Sequence, residues 1–215
     1  MTVFVKNRMT ANPWTVRADA TIPEAIALMK DKHVRHLPVM DAGRVVGVIS
    51  EGDIDSALPS KATSLSVNEL TYLVNKLSIA KVMSRDPITI SPEALLEQAA
   101  VVMREAKIEM LPVVEGGRLV GVITESDLID AFIEIMGFRD HGTRLVIEAR
   151  DVPGALAQMG SITSKHGANV QHLAVYRGSG ETSDVVLGVN TTDTTELEAD
   201  LAAAGFTVRG RLEND

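Results

Sequence analysis

Two stretches of this sequence place a hydroxyl three residues before an aspartate: Ser50 with Asp53, and Thr124 with Asp127. Each pair follows a short apolar run, where a strand is expected to give way to a helix. At such a junction a hydroxyl and free backbone amides can bind phosphate, and a carboxylate offers two acceptors for sugar hydroxyls. The same residue types are the favoured helix caps, so a purely structural role competes with the binding one. Upstream of the first pair stands His33-Val34-Arg35-His36, and upstream of the second Lys107-Ile108-Glu109-Met110. Arg35 is a permanent forked cation and His36 donates when protonated, whereas Glu109 repels an anion. A solvated strand entry is the competing reading of Arg35 and His36. The five histidines are scattered without metal-type pairing, so no metal site is assigned. The sequence holds no Gly-x-Ser-x-Gly, no glycine loop ending in Gly-Lys-Ser/Thr and no Rossmann glycine triplet. No catalytic residue is assigned, and an enzyme is not expected.

The elements that carry these residues come in duplicate. Shifted by 74 positions, Met9 falls on Met83, Pro13 on Pro87, Thr15 on Thr89 and Met29 on Met103. Leu37-Pro38-Val39 falls on Leu111-Pro112-Val113, and the run Gly43 to Asp53 falls on Gly117 to Asp127. A gapless match of this length marks two copies of one unit. Each copy reads β-α-β-β-α. Thr15-Val16 is a short strand, Thr21 and Glu24 form a capping box, and Ile22, Ala25, Ile26 and Met29 recur at helical spacing. In the second copy Ser91-Pro92 is expected to supply the N-cap and first helical position. Leu37 to Met40 and Val45 to Ile49 are strands around the turn Asp41-Ala42-Gly43-Arg44. The polar connection from Pro59 to Lys76 has a helix near its end. Methionines at helical spacing are core filling, and Trp14 either stacks on a ligand or, as expected here, packs between the copies.

Composition narrows the function. The chain has 215 residues, 45% of them hydrophobic, with mean hydropathy +0.11, enough for one to two ordinary cores. No apolar run approaches the roughly 20 residues of a membrane span, and the first residues lack an apolar secretion segment, so a cytoplasmic protein without membrane attachment is expected. There are no cysteines, which excludes disulfides, thiolate metal sites and cysteine nucleophiles. The net charge of −8, with no local basic patch, argues against nucleic acid as a partner.

Two tandem units of the form Pro-x-Thr-Val/Ile, then Leu-Pro-Val, then Gly-x-Val-Gly-Val-Ile-Ser/Thr-x-x-Asp resemble a pair of CBS domains, over roughly residues 3–136. The resemblance implies two units packed sheet against sheet around a pseudo-twofold axis, with two clefts that take adenosine-containing ligands such as AMP, ATP or S-adenosylmethionine. It carries the phosphate and ribose roles onto Ser50, Asp53, Thr124 and Asp127, and places Thr15 and Thr89 against the nucleotide from the opposite unit. It also sets Arg35 and His36 at the phosphate position of the first unit's cleft, so the Ser50/Asp53 side is the expected site of a charged nucleotide.

After Gly137 to Gly142 the repeat gives way to a new pattern. Leu145 to Ala149 is a strand, Ala155, Met159, Ile162 and Thr163 trace a helix stopping at His166-Gly167, and Asn169 to Tyr176 and Ser183 to Val189 are strands around the loop Arg177 to Glu181. A helix from Thr194 to Ala204 and a strand Phe206 to Val208 complete a ferredoxin-like βαββαβ unit. Asp151-Val152-Pro153-Gly154-Ala155-Leu156 and His166-Gly167-Ala168-Asn169-Val170, so placed, resemble an ACT domain over about residues 143–213. That resemblance implies amino-acid sensing at Asp151, Gly154 and Asn169, which as plain turn residues need bind nothing. It also implies pairing of sheets between chains, hence a homodimer. The domain order resembles the bacterial acetoin-utilisation regulator type, an analogy of arrangement.

The fold class expected is therefore α+β with α/β-like CBS units: two βαββα units packed as one module, plus a C-terminal ferredoxin-like domain. The boundaries are 1–76 and 77–136 for the units, 137–142 for a linker and 143–215 for the last domain. The function expected is regulatory ligand sensing for an unidentified partner. A non-binding scaffold and a ligand-modulated enzyme of unrecognised chemistry are the alternatives.

Overall fold

The computed structural model describes residues 3–58, 76–178 and 180–214. The helix expected late in the connection falls largely on 59–75 and lies outside them, as does Ser179 of the loop. The chain divides into two compact units, 1–129 and 130–215.

The first unit holds the repeat. Its first copy runs β1 (Thr10–Ala11), β2 (Val16–Arg17), α1 (Ile22–Lys32), β3 (His36–Asp41), β4 (Arg44–Ser50) and α2 (Glu51–Ala57). The second runs β5 (Ser84–Arg85), α3 (Leu96–Ala106), β6 (Met110–Glu115), β7 (Arg118–Thr124) and α4 (Glu125–Ile135). Helix α4 starts in this unit and ends in the next. The strand expected at Thr15-Val16 begins one residue later.

Each copy lends its leading arm to the other. Strand β1 pairs antiparallel with β7, at Thr10↔Val122, and β5 pairs antiparallel with β4, at Ser84↔Val48. The resulting sheets are β2-β3-β4-β5 and β1-β7-β6. In the second copy the strand matching β2 is reduced to the parallel bridge Ile90↔Val113. The arms also bury side chains: Ile79, fully buried, joins the core of the first copy beside Ile22, Met29, Leu37 and Ile49. A buried isoleucine contributes roughly 1.5–3 kcal/mol.

Helix α1 starts as expected, with the Thr21 amide donating to Glu24 Oε2 at 2.7 Å. Helix α3 does not. Its N-cap is Leu95, and the Leu95 amide donates to Gln98 Oε1 at 2.9 Å. Ser91 instead closes a turn, its hydroxyl accepting from the Glu93 amide at 3.2 Å. The repeat register prevails over the local proline signal, because Leu95 stands where Thr21 stands and is bridged to Phe4 as Thr21 is to Ser78.

The second unit runs β8 (Gly142–Arg150), α5 (Ala155–Lys165), β9 (Val170–Arg177), β10 (Thr182–Val189), α6 (Thr195–Ala203) and β11 (Thr207–Asn214). Its sheet order is β11-β8-β10-β9, antiparallel throughout, in the βαββαβ sequence. Leu145, Ile147, Met159, Leu187 and Leu201 are buried between sheet and helices. Gly167 and Gly205 take positive φ where α5 and α6 end. The last strand is longer than Phe206 to Val208, because its ladder passes a bulge at Val208/Gly210 and continues to Asn214. Residues 137–140 fold back on this sheet, where His172 sits between the Ile135 carbonyl at 3.0 Å and the Asp140 carboxylate at 2.6 Å.

Candidate binding clefts

Strand β4 ends at Ser50, where α2 begins, and β7 ends at Thr124, where α4 begins. At the first junction the Asp53 amide donates to Ser50 Oγ at 3.0 Å. The Ser50 amide and hydroxyl donate to Asp53 Oδ2 at 2.8 and 2.7 Å. The second junction repeats this: Thr124 donates to Asp127 Oδ2 from its amide at 2.8 Å and its hydroxyl at 2.7 Å. Both motifs are thus capping boxes. The bonds that each carboxylate accepts fall on Oδ2, so Oδ1 takes none among the described residues.

Each motif opens on a cavity between the copies. The first, about 560 Å³, gathers Ser50 and Asp53 with Arg35, His36, Arg85, Ile88 and Lys107. The second, about 400 Å³, gathers Thr124 and Asp127 with Trp14, Ile129, Arg35 and His36. Arg35, His36, Glu109 and Met110 line both. The expected division, with Arg35 serving one cleft and Glu109 the other, is therefore not what the geometry gives. The two strand entries face each other, and His36 Nε2 lies 3.6 Å from Glu109 Oε2. Burial pushes the His36 imidazole below its ordinary value, against the pull of Glu109. At neutral pH the ring is therefore an uncharged donor and Arg35 carries the charge.

Thr15 and Thr89 are exposed and line neither cavity; the residues one earlier, Trp14 and Ile88, do. Trp14 does not pack between the copies as expected. It is 52% exposed, and the Lys32 ammonium lies over its ring at 4.4 Å from the centroid. That cation offsets exposure of the indole face. The 74-residue shift sets Trp14 against Ile88, a mismatch between the copies that the comparison of the strand entries did not use.

In the second unit Asp151 and Gly154 line a third cavity, about 430 Å³, at the start of α5. Arg177 Nε donates to Asp151 Oδ2 at 3.0 Å. Ser183 lines the cavity with a buried hydroxyl that has no hydrogen-bond partner among the described residues. Asn169 lies outside this lining, its amide donating to Asn190 Oδ1 at 2.7 Å. Among the described residues no group of histidines and carboxylates could hold a metal ion, and no helix is long and apolar enough to cross a membrane.

The duplicated fold agrees with comparison to known proteins. The family model for the CBS domain matches residues 5–60 and 79–134, about half of the chain, and the chain belongs to that family. Among solved structures, a putative acetoin utilization protein (AcuB) from Vibrio cholerae is 30% identical, with TM-score 0.53. The match covers 65% of this chain and 97% of that one. The CBS domain pair of protein MJ0100, in complex with 5′-methylthioadenosine and S-adenosyl-L-methionine, is 28% identical, with TM-score 0.50 and coverage of 60% and 98%. CBSX2 in complex with AMP is 29% identical, with TM-score 0.51 and coverage of 62% and 98%.

Proposed function

We propose that this chain is a regulatory ligand sensor of the cytoplasm whose CBS clefts bind an adenosine-containing nucleotide. The observation that carries this reading is the pair of cavities, each holding a Ser/Thr-x-x-Asp box with one carboxylate oxygen unclaimed among the described residues. Similar CBS pairs in complex with AMP, 5′-methylthioadenosine and S-adenosyl-L-methionine support it. The free Oδ1 of Asp53 or Asp127 receives a ribose hydroxyl, Arg35 receives a phosphate, and the amides opening α2 and α4 add dipole attraction. Thr15 and Thr89 border the nucleotide only through their neighbours Trp14 and Ile88. The C-terminal unit acts as an ACT domain that joins two chains into a homodimer and senses an amino acid near Asp151 and Gly154, with Asn169 shaping the return to β9. The βαββαβ order and the Asp-Val-Pro-Gly turn between β8 and α5 support that part. A ligand acts on such a dimer only through unequal affinity for two arrangements, which a partner protein then reads.

Calorimetry of the full chain against AMP, ATP and S-adenosylmethionine tests the reading. Saturable binding that weakens in Asp53→Ala or Asp127→Ala is the expected result. Absence of binding to all three would leave both motifs as helix caps and the protein as a scaffold.

A further inference from the structure

The two clefts descend from one repeated unit, yet their walls differ at the positions that would meet a base and a phosphate. Arg35 and Glu109 are common to both. The first adds the cations Arg85 and Lys107 beside the carboxylates Glu51 and Asp86, whereas the second adds Glu125, the counterpart of Glu51, and no further cation among its described lining residues. The nearby Lys32 is already engaged, over the Trp14 ring and 2.8 Å from Asp31. Where the first cleft presents Ile88, the second presents the half-exposed indole of Trp14. An aromatic face stacks a nucleobase, and one guanidinium among three carboxylates offers a phosphate less than three cations among the four carboxylates of the first cleft.

From these differences we infer that the Thr124/Asp127 cleft takes a phosphate-free purine nucleoside, its base stacked on Trp14 and its sugar held by Asp127. Anionic nucleotides are left to the Ser50/Asp53 cleft. The inference rests on the adenosine reading above and adds which cleft takes which ligand class. Trp14 is the only tryptophan in the chain, so its emission reports this cleft directly.

The test titrates the full-length protein with 5′-methylthioadenosine and with AMP, following Trp14 emission and, in parallel, the heat of binding. Emission should change with 5′-methylthioadenosine at concentrations at least about tenfold below those needed with AMP. Trp14→Phe should weaken the calorimetric affinity for 5′-methylthioadenosine by about tenfold, the scale of one lost base stack. Asp127→Asn, which keeps the indole, should weaken the emission response. Two results would overturn the assignment alone: AMP acting on emission at equal or lower concentration, or heat of nucleoside binding with unmoved emission. Absence of heat with either ligand would overturn the adenosine reading itself, and this assignment with it.

Discussion

Met83 lies against Gly47 so closely that a methyl group there would stand 2.5 Å from the Met83 sulphur and 2.9 Å from the Ser84 carbonyl oxygen. The other half repeats the relationship: a methyl group at Gly121 would stand 2.5 Å from the Met9 sulphur and 3.1 Å from the Thr10 carbonyl oxygen. These contacts seat each borrowed arm on the neighbouring sheet. Gly47→Ala should therefore cost about 1–3 kcal/mol, the scale of overpacking. Gly121→Ala should cost less, because methionine yields readily and the backbone there stands farther off. Urea unfolding midpoints of both variants check the order, and equal midpoints with wild type would contradict the tight seat.

The hairpin between β3 and β4 turns on Ala42 and Gly43, both left-handed, with φ of 45° and 78°. Its counterpart turns on Gly116 and Gly117, with φ of 55° and 78°. Ala42 alone carries a side chain in this two-residue turn. Ala42→Gly should stabilise the fold by up to about 1 kcal/mol, and Gly116→Ala should destabilise it by a similar amount. Thermal unfolding of the two variants should shift in opposite directions.

Asp53 serves as a cap partner now and, by the proposal, as a ribose acceptor. Asp53→Ala should lower stability by about 1 kcal/mol through the cap and weaken AMP binding about tenfold. Arg35→Ala should weaken AMP more than adenosine. Calorimetry of both ligands on both variants decides; equal losses at Arg35 would remove it from the phosphate position.

Burial holds the His36 imidazole below its ordinary value near 6.5. The folded chain therefore binds fewer protons than the unfolded chain as pH falls through that ordinary value. Stability should drop from about pH 7 downward until the folded ring is itself protonated. His36→Gln should flatten part of this slope in urea titrations between pH 5 and 7. An unchanged slope would show that the ring titrates normally.

The C-terminal sheet ends on β11 and β9, and open edges are a liability unless paired or covered. Sedimentation should show a homodimer at micromolar concentration. A species of only 23.1 kDa would remove the dimer from the proposed function.

Much of the fold was legible because the repeat constrains it twice. The strands around Leu37 and Val45 announce themselves in both copies, and the cap at Thr21 in the first. What escaped was non-local or too brief to have a period. Strands β1 and β5 have two residues each, and nothing local says that their partners lie in the opposite copy. Ser91-Pro92 looked like a helix start because local capping rules cannot see the Phe4↔Leu95 bridge. In β11 the bulge before Gly210 breaks alternation, and charged Arg209 and Arg211 on an edge conceal a strand. Among site residues, the boxes at Ser50 and Thr124 were readable as chemistry. Trp14 was not, because its exposure depends on where Lys32 from α1 comes to rest.

The borrowed arms have a consequence for how such a protein can be taken apart. One copy on its own would lack a strand along β4 or β7, and the first copy would also lack the side chain of Ile79 that fills it. Its bare edge could be satisfied only by another molecule offering the same arm. The two copies made as separate chains should therefore seek each other out and reassemble. A forerunner with a single copy would have had to live as a symmetric pair of chains before duplication tied them together.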